Sequence, residues 1–116
     1  MKTIIAGSRD GVEYSDIKEA VAACGWSITE VIEGGARGAD AYGKIWAKNN
    51  GVPCNSMPAE WDKYGKSAGY RRNQDMANVA EALIAIRVGG EASKGTTHMI
   101  NIARDKGLRV YVLEKS

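Results

Sequence analysis

The chain has 116 residues, of which 44% are hydrophobic and 26% charged, which is typical of one globular domain and leaves no room for a second core. The formal net charge of +2 suits one anionic ligand but falls well short of the basic surface of a protein that coats nucleic acid. The N-terminal apolar run is too short for a signal peptide, and no stretch approaches the roughly 20 apolar residues that span a bilayer. We therefore expect a single cytoplasmic domain over residues 1–116 that does not enter a membrane.

The two cysteines, Cys24 and Cys54, lie far apart and have no histidine nearby. Without CxxC spacing or a His and Cys cluster, we expect reduced packing residues and no metal site. The dinucleotide motif GxGxxG is absent after the first apolar run, so no nicotinamide-type cofactor is expected.

Short apolar runs alternate with helical patterns along the chain. The predicted elements are strand 2–6, helix 15–23, strand 28–32, helix 39–49, strand 52–57, loop 58–67, helix 69–79, strand 82–86, helix 96–106 and strand 108–113. Pro53 favours an edge position for the third strand, because proline cannot donate a hydrogen bond to a sheet. The alternation predicts an α/β fold, an open parallel Rossmann-like sheet of about five strands in the order 3-2-1-4-5 with helices on both faces.

Glycine-rich turns follow the first, second and fourth predicted strands, at residues 7–10, 34–40 and 89–97. Ligands of parallel sheets bind beyond the carboxyl ends of the strands. Glycine lets backbone N–H groups approach an anion, and helix N-termini add free donors and a positive dipole end. One such turn would be only a tight turn, but three at the same edge predict a phosphate-binding site.

Two adjacent arginines, Arg71 and Arg72, open the third predicted helix, where their charges oppose the helix dipole. A bound anion would compensate for this arrangement. Adjacent helical residues diverge by about 100°, so we expect only one arginine to face the cleft. The aromatic residues Trp61, Tyr64 and Tyr70 either stack on a base or ribose or pin the intervening loop to the body, and the sequence favours neither interpretation.

The remaining titratable residues near strand ends and helix starts are also open to two interpretations. Asp10 and Asp40 either contact ribose hydroxyls or cap a turn. His98 has no acid near it in sequence, so we interpret it as a helix-surface residue rather than a general base.

Taken together, residues 6–9, 34–40, 61–65, 71–73 and 94–96 resemble motifs of the SLOG superfamily. This Rossmann-like group includes the LOG-type cytokinin phosphoribohydrolases and the DprA DNA-processing proteins. The likeness is greatest to its small YspA-like branch, found in bacteria and phages. The resemblance implies a nucleotide, a nucleoside monophosphate or an ADP-ribose-like ligand. It also implies a homodimer, in which Trp26 or Trp46 could lie at a helix-face contact.

The LOG motifs are matched only in part. The LOG enzymes have an Arg four residues before a Met, and Arg72 and Met76 occupy these positions here. Their Gly-Thr turn corresponds to Gly95-Thr96, but the Pro that precedes the turn is missing. The catalytic Glu of those enzymes, three residues after the Thr, is replaced by Met99. A thioether cannot act as a general acid or base, so we expect ligand binding, for sensing or sequestration, rather than catalysis.

The candidate ligand contacts are Gly7, Ser8, Arg9, Gly34, Gly35, Arg37, Gly38, Asp40, Arg72, Gly95, Thr96 and Thr97. Two alternatives remain. One is a hydrolase of an N-glycosidic or phosphate linkage that uses Asp10, Asp40 or Glu81 in place of the missing Glu. The other is a DprA-like single-strand nucleic-acid binder, which the near-neutral charge disfavours.

Overall fold

The computed structural model describes all residues 1–116 and contains one sheet of five parallel strands. The strands are β1 (Lys2–Gly7), β2 (Glu30–Glu33), β3 (Cys54–Ser56), β4 (Ala82–Val88) and β5 (Arg109–Lys115). The helices are α1 (Tyr14–Ala23), α2 (Ala39–Asn49), α3 (Trp61–Tyr64), α4 (Ala68–Val79) and α5 (Lys94–Asp105), with 3₁₀ turns at Gly65–Ser67 and Gly90–Ala92. The strand order is β3-β2-β1-β4-β5, so the predicted open parallel sheet and its order are confirmed.

Helices cover both faces of the sheet, as predicted. On one face, Ile4 of β1 and Leu83 of β4 belong to a buried cluster with Met76 of α4 and Met99 of α5. The opposite face packs against α1 and α2 through the alternate residues of the strands, beginning with Ile5. Because both alternating sets of side chains are buried, the interior strands read as continuous apolar runs. None of the five helices combines the length and the apolarity that crossing a membrane requires.

The side of the sheet on which new strands are added changes at β1. Ile4 lies opposite Ile32 of β2 on one side and Leu83 of β4 on the other. From β1 the chain proceeds outward through β2 to β3, then crosses to the other side and forms β4 and β5. The connections that follow β1 and β4 lead to helices on opposite faces, which opens a crevice between the ends of these two strands.

The third strand is shorter and more exposed than expected. β3 has only three residues, all exposed, and its edge position agrees with the prediction from Pro53. The carbonyl of Pro53 accepts a hydrogen bond from the Val31 N–H at 2.9 Å. Cys24 is buried, but Cys54 is exposed on this edge, so the packing role expected for Cys54 is wrong.

Residues 58–67, predicted as an irregular loop, are partly helical. The N–H groups of Lys63 and Tyr64 donate to the Glu60 carbonyl at 3.1 and 3.0 Å, and a 3₁₀ turn follows. A single helical turn is too short to display a 3.6-residue apolar period, so the pattern could not reveal it. The last helix, α5, begins at Lys94 rather than at residue 96, which places Thr96 and Thr97 within its first turn.

Trp26 and Trp46 are both half-buried against the cluster under α1 and α2. The indole N–H of Trp26 donates to Thr3 Oγ1 at 3.0 Å. Each side chain therefore has a packing partner within its own chain.

Candidate functional site

A cleft of about 560 Å³ opens at the carboxyl ends of β1 and β4. The loop after β1, the loop that leads into α2, and the N-terminal halves of α4 and α5 form its walls. This is the crevice that the reversal of strand order creates. Its volume lies within the usual range of small-molecule sites.

Ser8 fastens the loop after β1 to β4 and to α5. The Ser8 N–H donates to the Ile86 carbonyl, and the Val88 N–H donates to Ser8 Oγ, both at 2.9 Å. Ser8 Oγ also lies 2.9 Å from Ser93 Oγ, and the Ser93 hydroxyl donates to Thr96 Oγ1 at 3.0 Å. Because Ser93 uses its proton on Thr96, Ser8 is the donor to Ser93. The hydroxyl proton of Thr96 remains for an acceptor outside this chain of hydroxyls.

The first turn of α5 presents backbone donors to the cleft. The N–H groups of Gly95 and Thr96 donate to no carbonyl of the protein, as expected at the start of a helix. Both residues line the cleft, and Thr96 is buried there. Thr97 points elsewhere: its hydroxyl oxygen accepts a hydrogen bond from Arg87 Nη1 at 3.1 Å, and it lines a neighbouring surface groove.

The loop after β2 uses its backbone donors internally. The Gly35 N–H donates to Glu33 Oε1 at 2.7 Å, and the Ala36 N–H donates to Asp40 Oδ2 at 3.3 Å. Of this loop and the first turn of α2, only Ala36 and Asp40 line the cleft. An anion in the cleft therefore does not meet a cradle of free N–H groups from Gly35 and Ala36.

Gly34 and Gly38 are positions of close approach between segments of the chain. At Gly38, φ is 77° and a Cβ atom would overlap the carbonyl oxygen of Ser8. Only glycine lets the start of α2 come this close to the loop after β1. At Gly34, a Cβ atom would overlap the guanidinium of Arg72, which donates from Nη1 to the Gly34 carbonyl. Both glycines serve packing beside the cleft rather than its lining.

An exposed ion pair joins the loops after β1 and β2 at the rim. Arg37 donates from Nε and Nη2 to the two carboxylate oxygens of Asp10 at 3.2 and 3.0 Å. These hydrogen bonds hold the pKa of Asp10 below its ordinary value. Asp10 lines the cleft, whereas Arg37 lies outside it.

Asp40 is a buried acid at the cleft, with only 5% of the residue exposed. Burial raises the pKa of Asp40 to about 6, although the Ala36 N–H and the nearby Arg72 favour the charged form. The negative charge of Glu33 raises the value further. Asp40 therefore changes its protonation state at about pH 6, and strongly shifted carboxyl groups in clefts are often functional.

Arg72 reaches the cleft from α4 and retains unused donors. Its Nη1 donates to the Gly34 carbonyl at 2.5 Å and its Nε to Asn73 Oδ1 at 3.1 Å. A guanidinium has five N–H donors, so three remain for a ligand. Arg71 points elsewhere and stacks over the ring of Tyr64 at 4.3 Å. Only Arg72 of the pair lines the cleft.

Asn73 links Arg72 to the wall made by α5. Since Asn73 Oδ1 accepts from Arg72, its Nδ2 faces His98 Nδ1 at 3.1 Å and the Gly95 carbonyl at 3.4 Å. His98 Nδ1 is then an acceptor, so the ring proton lies on Nε2. Burial lowers the pKa of His98, which agrees with a neutral ring. The predicted surface histidine is thus half-buried and bonded.

Two exposed aromatic rings border the cleft. Trp61 is 51% exposed and Tyr70 is 48% exposed, and both line it. Trp61 lies against Gly69, and Tyr70 packs edge-to-face on His98 with ring centroids 4.4 Å apart. Lys66 adds a positive charge to the same wall. Each ring has a packing partner and also a large accessible surface.

Seven of the predicted contacts line the cleft, namely Gly7, Ser8, Arg9, Asp40, Arg72, Gly95 and Thr96. The other five lie outside it: Gly34, Gly35, Arg37, Gly38 and Thr97. Asn73 and Ser93 line it without having been proposed as contacts. Asn73 lies three and four residues before the buried Met76 and Ala77, on the same face of α4. This helical spacing could have predicted from the sequence that Asn73 faces inward.

The candidate acids proposed for catalysis are separated by the fold. Glu81 lies at the opposite end of the sheet, where its Oε1 accepts a hydrogen bond from the Lys2 N–H at 2.9 Å. A role for Glu81 in this cleft is therefore excluded. Met99 is buried and lines the cleft. Only Asp10 and Asp40 bring carboxyl groups to the cleft.

The five-stranded parallel sheet and the cleft at its reversal point define a Rossmann-like α/β protein. The chain belongs to the YspA, cpYpsA-related SLOG family, whose family model, YAcAr, matches residues 1–64. The match includes the loops after β1 and β2 and ends before α4 and α5. Membership of this family supports a nucleotide-related ligand-binding role in general.

A phage protein is similar to the chain over much of its length. The chain is 35% identical over 86 residues to the Gene 61 protein of Mycobacterium phage D29, which covers 69% of this chain and 67% of that protein. No solved structure is significantly similar to the chain.

Proposed function

We propose that the chain binds a phosphate-bearing, nucleotide-derived ligand in this cleft, as a sensor or sequestering module. One observation carries the proposal: unused donors from α5 and Arg72 converge with exposed aromatic rings at the reversal point of the sheet.

The phosphate group would lie at the first turn of α5. The free N–H groups of Gly95 and Thr96 and the unused hydroxyl proton of Thr96 are donors suited to phosphate oxygens. α5 has 12 residues, long enough for the dipole at its N-terminus to favour negative charge. Arg9 and the three spare donors of Arg72 would add charge-assisted hydrogen bonds.

The base would lie against the aromatic wall. Trp61 and Tyr70 both line the cleft, and about half of each residue is exposed. Stacking on such rings contributes about 1–3 kcal/mol per base and accepts any base. This arrangement favours a nucleotide over inorganic phosphate.

The test compares Arg72→Ala with the neighbouring Arg71→Ala, which removes the same charge outside the cleft. Isothermal titration calorimetry with AMP, ADP and ADP-ribose would measure the affinity of each variant. We expect Arg72→Ala to weaken binding about tenfold to a hundredfold, the value of a charge-assisted hydrogen bond, and Arg71→Ala to change it little. Circular dichroism melts would verify that both variants are folded. Equal losses in the two variants would contradict the proposed site.

A second candidate function is N-glycosidic hydrolysis, with Asp40 as the relocated acid. It is favoured by one observation, the raised pKa of Asp40, about 6, inside the cleft. Chromatography of AMP after hours with concentrated protein would detect free adenine. Turnover that persists through repurification and disappears in Asp40→Asn would establish the hydrolase, whereas we expect none.

A further inference from the structure

The carboxyl group of Asp40 has an unused acceptor oxygen. The Ala36 N–H donates to Oδ2 at 3.3 Å, the Gly34 N–H also approaches the carboxyl group and favours its charged form, and Oδ1 accepts no hydrogen bond of normal geometry from the protein. No buried side-chain oxygen in the chain lacks a partner, so Oδ1 is not sealed in the core. Oδ1 is therefore partly accessible, and Asp40 is one of the residues that line the cleft.

Asp40 is the acid available for a role that the acid at the end of β2 does not fill in this chain. Rossmann-type sheets often end their second strand with an acid that binds ribose hydroxyls. Here that residue is Glu33, which is buried, accepts hydrogen bonds from the Gly35 N–H and the Ser56 hydroxyl, and does not line the cleft. Glu33 therefore supports the loop, and Asp40 is the acid that remains for a ligand.

The charges that line the cleft also favour a ligand with a hydrogen-bond donor for Asp40. Arg9, Lys66 and Arg72 are its cationic side chains, and Asp10 and Asp40 its acidic ones. Arg37 already satisfies Asp10. A purely anionic ligand would leave Asp40 Oδ1 without a hydrogen-bond donor and would place a like charge close to it, which is costly in a partly buried site.

We propose that Asp40 Oδ1 accepts a hydrogen bond from a ribose hydroxyl of the ligand, so that the cleft selects ribonucleotides over their deoxy forms. This inference rests on the proposed function and names its substrate class. The phosphate at α5 and the ribose at Asp40 then set the orientation of the ligand, with the base toward Trp61.

The experiment measures the affinities of AMP, 2′-deoxy-AMP and 3′-deoxy-AMP by calorimetry for the wild-type protein, Asp40→Asn and Asp105→Asn. The asparagine at position 40 can still accept the Ala36 N–H but presents an NH₂ group where Oδ1 was. For the wild type we expect at least one deoxy nucleotide to bind about tenfold to a hundredfold more weakly than AMP. In Asp40→Asn this ratio should fall to about one through weaker binding of AMP. Asp105→Asn, the matched control at the exposed end of α5 and outside the cleft, should keep the wild-type ratio.

The possible outcomes separate this inference from the proposed function. Equal wild-type affinities for all three nucleotides would overturn the role of Asp40 and leave nucleotide binding intact. A ratio that persists in Asp40→Asn, or is lost in Asp105→Asn, would also overturn it. The wild-type comparison requires no variant, so it decides the matter even where Asp40→Asn does not fold. Binding of none of the three nucleotides, together with no binding of ADP or ADP-ribose, would overturn both proposals.

Discussion

Replacing Asp40 by asparagine should make the stability of the protein less dependent on pH. Burial raises the pKa of this carboxyl from an ordinary 3.8 to about 6 in the folded chain. Between these values the folded state holds a proton that the unfolded state releases, so stability falls as the pH rises from about 4 to 6. Above about pH 6 the full cost of the buried charge is present. A shift of about two pKa units corresponds to about 3 kcal/mol.

Asparagine cannot ionise, so Asp40→Asn lacks this cost. We expect the variant to be more stable than the wild type by up to about 3 kcal/mol at pH 7.5 and to match it near pH 4. Urea unfolding followed by circular dichroism at the two pH values would measure the difference, with the slope against urea showing that both proteins unfold alike.

The control is Asp10→Asn, because Asp10 is exposed and its pKa is lowered by Arg37. That variant should show no gain at pH 7.5. If Asp40→Asn differs from the wild type by the same amount at both pH values, or is destabilised only at pH 7.5, the assigned burial of the charge is wrong.

Three further variants test the loops and the aromatic wall. Gly38→Ala should lose roughly 2 kcal/mol or more in a thermal melt, because φ is positive and a Cβ atom meets backbone, whereas Gly51→Ala, also at positive φ but with open space, should lose only about 1 kcal/mol. Ser93→Ala should weaken nucleotide binding about twofold to tenfold in calorimetry, because Thr96 loses the hydroxyl that orients it, with a change in melting temperature of only a few degrees. Trp61→Ala should lower the affinity for a nucleotide by about 1–3 kcal/mol and abolish any quenching of tryptophan fluorescence by the base, and unchanged quenching would refute the stacking role.

The order of the sheet was accessible from the sequence because few topologies satisfy short, right-handed connections between parallel strands. The continuous apolar run in β4 and the proline before β3 distinguished an interior strand from an edge strand. The edge of the sheet that carries the cleft followed from the same pattern, since glycine-rich turns come after the strands. The one-turn helix α3 and the exact start of α5 were not accessible, because each depends on only a few local hydrogen bonds.

What the tertiary structure alone decided is which residues of those turns face the cleft. Arg37 and Thr97 belong to the predicted motifs, yet their side chains bond to Asp10 and Arg87, which lie 27 and 10 residues away in sequence. The Gly35 N–H is likewise occupied by the Glu33 carboxylate. A motif identifies groups able to bind an anion, but a polar group already satisfied within the fold gains little from a ligand. Asp40 shows the converse: only the packed chain reveals that it is buried, that its pKa rises to about 6 and that one of its oxygens is still free.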